Sequence, residues 1–458
     1  MSGPAAGGCM VLWRAVETKA YAIDYGMRAP RELDPADYPL AGSGSAPDLF
    51  AWPLVKDNRN VEGATAVAVP GVVAGMALAH ERFGRMPWRD LVAPAVKLAS
   101  EGLLVDWYSG LLMASTSRSL ARDPDAAAMF LEDGHWPILG TWTALTEKRL
   151  DQRKLADTLE QIGAEGASAL YRGDIGRALV NDVREKGGCL SLDDLASYEA
   201  HSAEPLAIGY RDARIFAAPG MTGGPTLAHA LGLLALSEPG YLAYARALDA
   251  AWRHRFATMG DTDVPSACTT HFSVVDRAGN LCAVTQTLLS IFGSRVVSPS
   301  TGVLLNNGIM WFDPQPGRPN SLAPGKRCMG NYCPVVGETR DGNRFALGAS
   351  GGRKIVGTVL QLASFLIDQG MSLEEAFHEP RIDMSGEATL IADRALPAHI
   401  LAELEEAYST VTARRTVFPY AFAVPAAVLR RGDMNMGCTE IMSPWGDAVA
   451  ERTIDSNA

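Results

Sequence analysis

The sequence predicts an α/β protein built from layers of sheet and helix, and three observations support this class. Segments with helical periodicity alternate along the chain with short, β-branched apolar segments, and stacked layers let both kinds bury their apolar sides. Hydrophobic residues make up 47% of the 458 residues, which allows a sizeable core. The nearest candidate for a membrane-spanning run, residues 64–79, is interrupted by proline and glycine and is better interpreted as strand, turn and helix.

The chain up to Cys268 is predicted to be mainly helical with a few strands. Val11 to Asp24 has the pattern of a hairpin, and Ala64 to Val69 that of an apolar strand. Residues 31–60 are rich in Pro, Gly, Ser and Asp, which predicts a long loop. The predicted helices share an apolar stripe at helical spacing and cover residues 72–83, 88–100, 155–162, 226–236 and 242–259, with a further helix after the N-cap Ser191.

After this point strands are predicted to predominate. Thr270–Asp276 and Leu281–Thr287 are two apolar, alternating runs joined by the turn residues Arg277–Asn280, which predicts a β-hairpin of two core strands. The remaining predicted elements are strands at 302–306, 345–349 and 421–429 and helices at 353–368 and 401–408.

Two threonines, Thr269 and Thr287, stand at the ends of this hairpin and face each other if its strands pair antiparallel. If the chain is cut just before Thr269, the freed α-amine has a pKa near neutrality and can act as base for the hydroxyl of the same residue. Threonine is also a favoured strand residue, so the spacing alone leaves a purely structural role open.

The sequence around the hairpin resembles the γ-glutamyltranspeptidase family of N-terminal-nucleophile hydrolases. The matching motifs are T-T-H-F-S-V-V-D-R-A-G-N from Thr269, A-V-T-Q-T ending at Thr287, F-G ending at Gly293, G-V-L-L-N-N ending at Asn307, and Gly351-Gly352. The resemblance covers nearly the whole chain and implies a four-layer α-β-β-α sandwich. It also implies a cofactor-free amide hydrolase or acyltransferase that acts on a small-molecule amide, with water or an amine as acceptor.

The same resemblance assigns roles to residues. Thr269 is the expected nucleophile, released by self-cleavage of the Cys268–Thr269 bond, and Thr287 is expected to orient its hydroxyl. Gly351 and Gly352 are expected to form the oxyanion hole, because glycines in a strand-to-helix turn let backbone N–H groups approach a developing negative charge. The expected product of self-cleavage is a heterodimer of residues 1–268 and 269–458, or a dimer of this heterodimer.

The positions that recognise the acyl group depart from the family pattern. The family's arginine for the substrate carboxylate falls on Gly26, with Arg28 two residues on and on the same face of an extended segment. The aspartate for the substrate amine falls on Trp311, and a serine pair falls on Gly330 and Asn331. The acyl group is therefore expected to be less polar than γ-glutamyl, or to carry a carboxylate without the amine.

Other interpretations stay open at this stage. Gly348–Gly352 matches G-x-S-x-G between a strand and a helix, so Ser350 is an alternative serine nucleophile with His378 or His399 as its partner. A catalytically inactive homologue that acts as a binding protein is the non-enzymatic alternative. Among the other family motifs, Asn306 is expected to be structural, and Lys326 and Arg327 are either a solvated pair or contacts for an anionic substrate.

Composition limits the partners. The net charge is −11 and no basic stripe is visible, so nucleic acid is not an expected partner. The eight histidines show no metal-binding spacing, and no catalytic metal is expected. No signal peptide is visible, so we expect a cytoplasmic protein without a membrane partner. The first ten residues resemble an internal family segment, so the family's N-terminal helical region is expected to be absent or the start to be truncated.

Overall fold

The computed structural model describes residues 2–45, 52–139, 147–220, 222–259, 270–386 and 389–451. Cys268 and Thr269, which flank the expected cleavage site, lie outside the described residues. None of the helices found within these ranges is both long enough and apolar enough to cross a membrane.

Strands run through the whole described chain, before and after the expected cleavage site. In chain order they are β1 (Gly7–Arg14), β2 (Lys19–Tyr25), β3 (Leu40–Ser45), β4 (Pro53–Val55), β5 (Leu103–Leu104), β6 (Leu131–Glu132), β7 (Trp136–Pro137), β8 (Arg149–Leu150), β9 (His201–Ala203), β10 (Leu206–Tyr210), β11 (Ala213–Ala217), β12 (Thr270–Val275), β13 (Leu281–Thr287), β14 (Val335–Glu338), β15 (Arg344–Ser350), β16 (Ile382–Asp383), β17 (Thr389–Asp393), β18 (Ser409–Ala413), β19 (Val424–Arg431) and β20 (Met434–Thr439).

The helices are concentrated in the first part of the chain. In chain order they are α1 (Val72–Phe83), α2 (Trp88–Glu101), α3 (Trp107–Leu120), α4 (Pro124–Phe130), α5 (Arg153–Glu165), α6 (Ser168–Tyr171), α7 (Asp174–Glu185), α8 (Leu192–Ala196), α9 (Gly224–Leu234), α10 (Tyr241–Thr258), α11 (Lys354–Ile367), α12 (Leu373–His378) and α13 (Ala398–Ala407). Single 3₁₀ turns cover Pro35–Asp37, Lys56–Asn58, Ala64–Ala66 and Gly308–Trp311.

Two sheets lie face to face at the centre of the molecule. The first has the strand order β12-β13-β1-β2-β9, and the second has the order β10-β11-β14-β15-β19-β20. Strands β12 and β13 of the first sheet pack on β15 of the second, and β12 also packs on β19. Apolar side chains from both sheets, such as Val11, Ala283 and Ala346, form the buried cluster between them.

Helices cover the outer face of each sheet. Residues such as Leu248 of α10 and Val359 of α11 share a buried cluster with Phe345 of the second sheet. On the other side, Val73 of α1 and Leu179 of α7 belong to the cluster that covers the first sheet. The order of layers is therefore helix, sheet, sheet, helix, and the predicted α-β-β-α sandwich is confirmed.

Most of the predicted elements occur with small shifts at their ends. Helix α1 covers the predicted residues, and α2, α9, α10, α11 and α13 differ from the prediction by one to three residues at their ends. The hairpin predicted at Val11–Asp24 is the pair β1 and β2. Ser191 caps α8 by accepting a hydrogen bond from the Asp194 backbone N–H.

Three predictions about local structure were wrong. Ala64–Val69 is not a strand: Ala64–Ala66 forms a 3₁₀ turn, and the backbone of Ala68 is bound on both sides by the side chain of Asn306, at 2.9 and 2.8 Å. Residues 302–306 contribute a single bridge, Val297 to Leu304, because they fold back on the preceding loop. The predicted loop at 31–60 contains the short strand pair of β3 and β4.

Candidate active site

The hairpin of β12 and β13 brings the family motif to one edge of the first sheet. The strands pair antiparallel from Thr270 opposite Gln286 to Val275 opposite Leu281, as the sequence predicted. In the turn, the Asn280 backbone N–H donates to the Asp276 carboxylate at 2.8 Å. Strand β12 is the outermost strand of its sheet and begins at the residue that follows Thr269 in sequence.

Thr287 ends β13 in a tight, buried turn. Its side chain is fully buried, and its backbone is paired with Gly7 of β1. Its Oγ1 accepts a hydrogen bond from the Leu289 N–H at 2.8 Å, and Leu289 has a φ of +88°. The turn therefore holds the hydroxyl in one place, and Oγ1 also donates to the Leu289 carbonyl over a long contact of 3.5 Å.

Gly351 and Gly352 form the turn between β15 and α11, as the sequence predicted. Their φ values are +136° and +67°, in a region that L-residues with a Cβ rarely adopt. A Cβ on Gly351 would lie 2.8 Å from the Cα of Ala423, so the backbones approach too closely for a side chain. The turn leads into the N-terminus of a helix of 14 residues, whose unpaired N–H groups favour a negative charge.

A cavity of about 1680 Å³ runs along β12 and reaches this turn. Its wall includes Thr270 at one end of the strand, and Ser350 and Gly351 at the turn. The wall also includes five aromatic residues; they are Tyr108, Phe272, Phe418, Tyr420 and Trp445. The glycine turn and the start of β12 therefore open into one common space.

His271 is the second residue of β12, and its side chain contacts residues of both sheets. Its Nδ1 is 2.8 Å from the Thr285 hydroxyl and its Nε2 is 2.9 Å from the Ser273 hydroxyl. The ring packs on the backbone of β15, where a Cβ on Gly348 would lie 2.3 Å from it. Burial lowers the pKa of His271 from its ordinary value of 6.5 to about 3. The imidazole is therefore neutral at physiological pH.

We expect this half-buried neutral histidine to make the protein acid-sensitive. In the unfolded chain His271 takes up a proton near pH 6.5, whereas in the folded chain it does so only near pH 3, so stability is lost as the pH falls through this window. Between pH 6.5 and 5 the loss from this one group is about 2 kcal/mol. Thermal unfolding midpoints measured against pH should therefore fall more steeply in the wild type than in His271→Gln. If both proteins are cleaved, or both uncleaved, and their curves of midpoint against pH run parallel, the lowered pKa of His271 is contradicted.

The predicted arginine, Arg28, lies after β2 and does not line this cavity. Its Nη2 is 3.4 Å from Nε2 of His201 on β9, at the opposite edge of the sheet from β12. Of the two nearby cations, Lys326 donates to the carbonyls of Pro319 and Ser321, and Arg327 pairs with Asp24 at 3.1 Å. These contacts favour structural roles for both.

The other predicted acyl-binding residues are fully or closely packed. Trp311 is buried between the sheets with its ring against that of Tyr332, at a centroid distance of 5.5 Å. A Cβ on Gly330 would lie 2.2 Å from the Tyr332 ring, so only glycine fits there. Asn331 is fully buried, and neither its Nδ2 nor its Oδ1 has a hydrogen-bond partner in the described part of the chain.

Sequence reasoning missed two buried arginines in this region. Arg255 is fully buried near the end of α10, and Arg353 follows Gly352 with only 7% of its surface exposed. The helical stripe of α10 contained a signal for the first, because Arg255 continues the buried series Tyr244, Leu248 and Trp252 at spacings of three and four. An arginine on an apolar stripe is an exception that calls for a partner.

The alternative nucleophile, Ser350, gains no support from its surroundings. Its hydroxyl lies 3.5 Å from the Val424 carbonyl, and no histidine is its hydrogen-bond partner among the described residues. The positive φ values of the turn fall on Gly351 and Gly352, whereas a nucleophile elbow places the strained position at the serine. His378 instead contacts the Glu374 carbonyl at 2.8 Å.

Comparison with known proteins identifies the family. The family model described as Gamma-glutamyltranspeptidase matches residues 1–267 and 243–441, which together cover most of the chain. The chain belongs to the gamma-glutamyltranspeptidase family. Acylase ACY 1 proenzyme from Pseudomonas sp. (strain V22) is 34% identical over 395 residues, which cover 76% of this chain and 69% of that protein.

Two further proteins are similar to this chain, one in sequence and one in fold. Glutathione hydrolase proenzyme from Escherichia coli (strain K12) is 29% identical over 442 residues, covering 83% of this chain and 73% of that protein. The crystal structure of cephalosporin acylase from Bacillus halodurans has the same fold, with a TM-score of 0.79, 21% identity and coverage of 96% of this chain and 86% of that one. The protein is thus a hydrolase or acylase of this family, and relatives named as proenzymes are consistent with processing into two fragments.

Proposed function

We propose that this protein cleaves itself between Cys268 and Thr269 and then hydrolyses a small amide through an ester on Thr269. The observation that carries the proposal is the register of the hairpin. Thr270 pairs with Gln286, so continuing the same register by one residue would bring Thr269 opposite Thr287. The fixed hydroxyl of Thr287 would then be in reach of the nucleophile.

The proposed chemistry uses the same atom twice. The Thr269 Oγ attacks the Cys268 carbonyl, the peptide C–N bond breaks, and the acyl group moves from nitrogen to oxygen. Water then hydrolyses this ester and leaves a free α-amine on Thr269. In turnover, this amine takes the proton from Oγ as Oγ attacks the substrate amide, and it passes the proton to the leaving amine. Water or an acceptor amine releases the acyl group from the second ester.

The turn at Gly351 and Gly352 supports the proposal, because both acyl transfers pass through an oxyanion. Backbone N–H groups at such a turn are fixed before the reaction begins, and they need no reorganisation as charge develops. The N-terminus of α11 adds a favourable field at the same point.

The proposed fragments, residues 1–268 and 269–458, would remain associated after the cut. The first contributes β1 and the second β13 to one sheet, where seven residue pairs connect them. The second sheet connects β11 of the first fragment to β14 of the second through four residue pairs. Because each sheet is completed only by both fragments, self-cleavage would leave a stable heterodimer.

We expect the acyl group to lack the amine of γ-glutamyl. Trp311 is fully buried at the position where the family places the aspartate for this amine, so an ammonium there would be left without a carboxylate. A buried charged group without a partner lowers the binding free energy. We therefore expect kcat/KM to be at least about tenfold higher for glutaryl-p-nitroanilide than for γ-glutamyl-p-nitroanilide. The two substrates differ only in the α-amine, and release of p-nitroaniline measures both. Equal or better use of the γ-glutamyl substrate would contradict this assignment.

A further inference from the structure

The inner face of β15 carries small residues where the strand approaches the glycine turn. Phe345 and Leu347 pack with the helices on the outer side, whereas Ala346 belongs to the cluster between the sheets. Since side chains alternate along a strand, Gly348 and Ser350 face the same gap as Ala346. This stretch of β15 therefore leaves space between the sheets that a residue of the first sheet has to fill.

The imidazole of His271 fills this space. A Cβ on Gly348 would lie 2.3 Å from the Cε1 and 2.5 Å from the Nδ1 of the ring, too close for any side chain. The backbone of Gly348 is not in the left-handed region, so the ring, and not the backbone conformation, excludes a side chain at this position. The ring of one sheet and the glycine of the other are thus a matched pair.

Two hydrogen bonds fix the orientation of the ring. Its Nδ1 is 2.8 Å from the hydroxyl of Thr285 on β13, and its Nε2 is 2.9 Å from the hydroxyl of Ser273 on β12. Thr285 is fully buried and stands directly opposite His271 in the strand pairing. A neutral imidazole has one donor and one acceptor nitrogen, and a hydroxyl group can match either. The ring is therefore a fixed spacer between β12 and β15.

The spacer lies between the two parts of the proposed catalytic machinery. His271 comes two residues after Thr269, and if β12 is continued by one residue, the two side chains face the second sheet together. Gly348 comes three residues before Gly351, on the strand that leads into the oxyanion turn. His271 and Gly351 both line the large cavity. The distance between the nucleophile and the oxyanion donors therefore depends on the spacing of these two strands.

We propose that His271 is a positioning residue, whose imidazole sets the spacing between the strand of the nucleophile and the strand of the oxyanion turn. This inference rests on the proposed function, because it concerns the Thr269 hydroxyl that self-cleavage and amide hydrolysis share. A displacement of about 1 Å in an active site can lower the rate about 100-fold. Because the imidazole itself takes no part in either acyl transfer, its loss should lower kcat and leave KM nearly unchanged.

The test is a double substitution in which the volume removed from one strand is returned from the other. His271→Ala opens the gap and should lower kcat about 10- to 100-fold for the anilide that the wild type hydrolyses faster. Gly348→Val places its side chain where the ring lies and should also lower kcat while the histidine is present. In the combined variant the valine occupies the emptied space, so its kcat should exceed that of either single variant.

Thermal unfolding separates positioning from a purely structural role. Thr285 loses its partner in His271→Ala and in the combined variant alike, so the thermal midpoints of both should stay below that of the wild type. If His271 were only structural, variants that remain folded at the assay temperature would keep the wild-type kcat. Recovery of kcat without full recovery of the midpoint therefore supports positioning.

Gly209→Val is the control for the substituted glycine. Gly209 lies on β10 of the same sheet, its backbone is not in the left-handed region, and a Cβ there meets nothing within 4 Å. This variant should keep the wild-type kcat. Variants that do not cleave themselves are compared by the extent of self-cleavage after a fixed time, measured by intact mass, and the combined variant should again exceed both single variants.

Failure of the positioning role is distinguishable from failure of the proposed function. If the wild type neither cleaves itself nor hydrolyses an anilide, the proposed function is overturned. If the wild type does both, the positioning role alone is overturned by any of three results. These are a His271→Ala enzyme with at least about half of the wild-type kcat, a combined variant no better than the single variants, and equal losses in Gly209→Val and Gly348→Val.

His271→Asn replaces any variant that does not fold. Its amide keeps a polar partner for Thr285 but lacks the bulk of the ring, so kcat should still fall at least about tenfold. A wild-type kcat in His271→Asn would overturn the positioning role.

Discussion

Thr269→Ala is expected to reduce amide hydrolysis by at least about a thousandfold. Removing the nucleophile of a covalent mechanism leaves only the contribution of binding and of the oxyanion turn. The variant keeps the hairpin, because alanine replaces one residue before the first described pair, Thr270 with Gln286. Release of p-nitroaniline under saturating substrate, with thermal unfolding to confirm the fold, measures the effect.

Thr269→Ser is the matched control for this prediction. It keeps a hydroxyl and an α-amine in the same positions, so it should retain measurable self-cleavage and hydrolysis while the alanine variant has neither. If Thr269→Ala kept a tenth or more of the wild-type rate, the threonine mechanism would be wrong. Loss of that residual rate in Thr269→Ala combined with Ser350→Ala would then point to the serine.

Gly351→Ala is expected to lower kcat by about 100- to 1000-fold, the range seen when one oxyanion donor is lost. The added Cβ would lie 2.8 Å from the Ala423 Cα, and the φ of +136° is unfavourable for alanine. The turn must therefore move, and the N–H groups that it presents move with it. The effect should fall on kcat rather than on KM, because the donors act on the transition state.

Gly342→Ala separates this effect from the general cost of replacing a glycine. Gly342 has a φ of +75°, but a Cβ there meets nothing within 4 Å. This control should lose a little stability and keep its kcat. A Gly351→Ala enzyme with wild-type kcat, or a Gly342→Ala enzyme with an equal loss, would exclude the turn as the oxyanion site.

Helices and the central hairpin were predictable because their signals are local. The apolar stripe of α1 and of α11, and the turn between Val275 and Leu281, depend on neighbouring residues only. Ala64–Val69 was mistaken for a strand because its backbone partner, the side chain of Asn306, comes from 238 residues away. The sequence indicated a structural role for Asn306, but it did not indicate that Asn306 binds the backbone of Ala68.

In the candidate active site, too, some residues could be identified from local sequence motifs and others could not. Thr287 and the glycine turn belong to motifs, and the structure places Thr287 at the end of β13 and the two glycines between β15 and α11, as the sequence predicted. Arg255 belongs to no motif that the sequence analysis used, and its hydrogen-bond partners come from separate segments of the chain. The surroundings of a buried arginine are a property of the packed molecule, since Thr222, Thr226 of α9 and Gly330 meet Arg255 of α10 only after folding.

The most direct test of the central claim is the intact mass of the purified protein under denaturing conditions, with N-terminal sequencing of any fragments. We expect two fragments, residues 1–268 and residues 269–458, with Thr269 at the new N-terminus, and a single chain for Thr269→Ala. The two fragments should elute together under native conditions. A wild-type chain that stays whole, or a cut at any other bond, would contradict the proposed nucleophile.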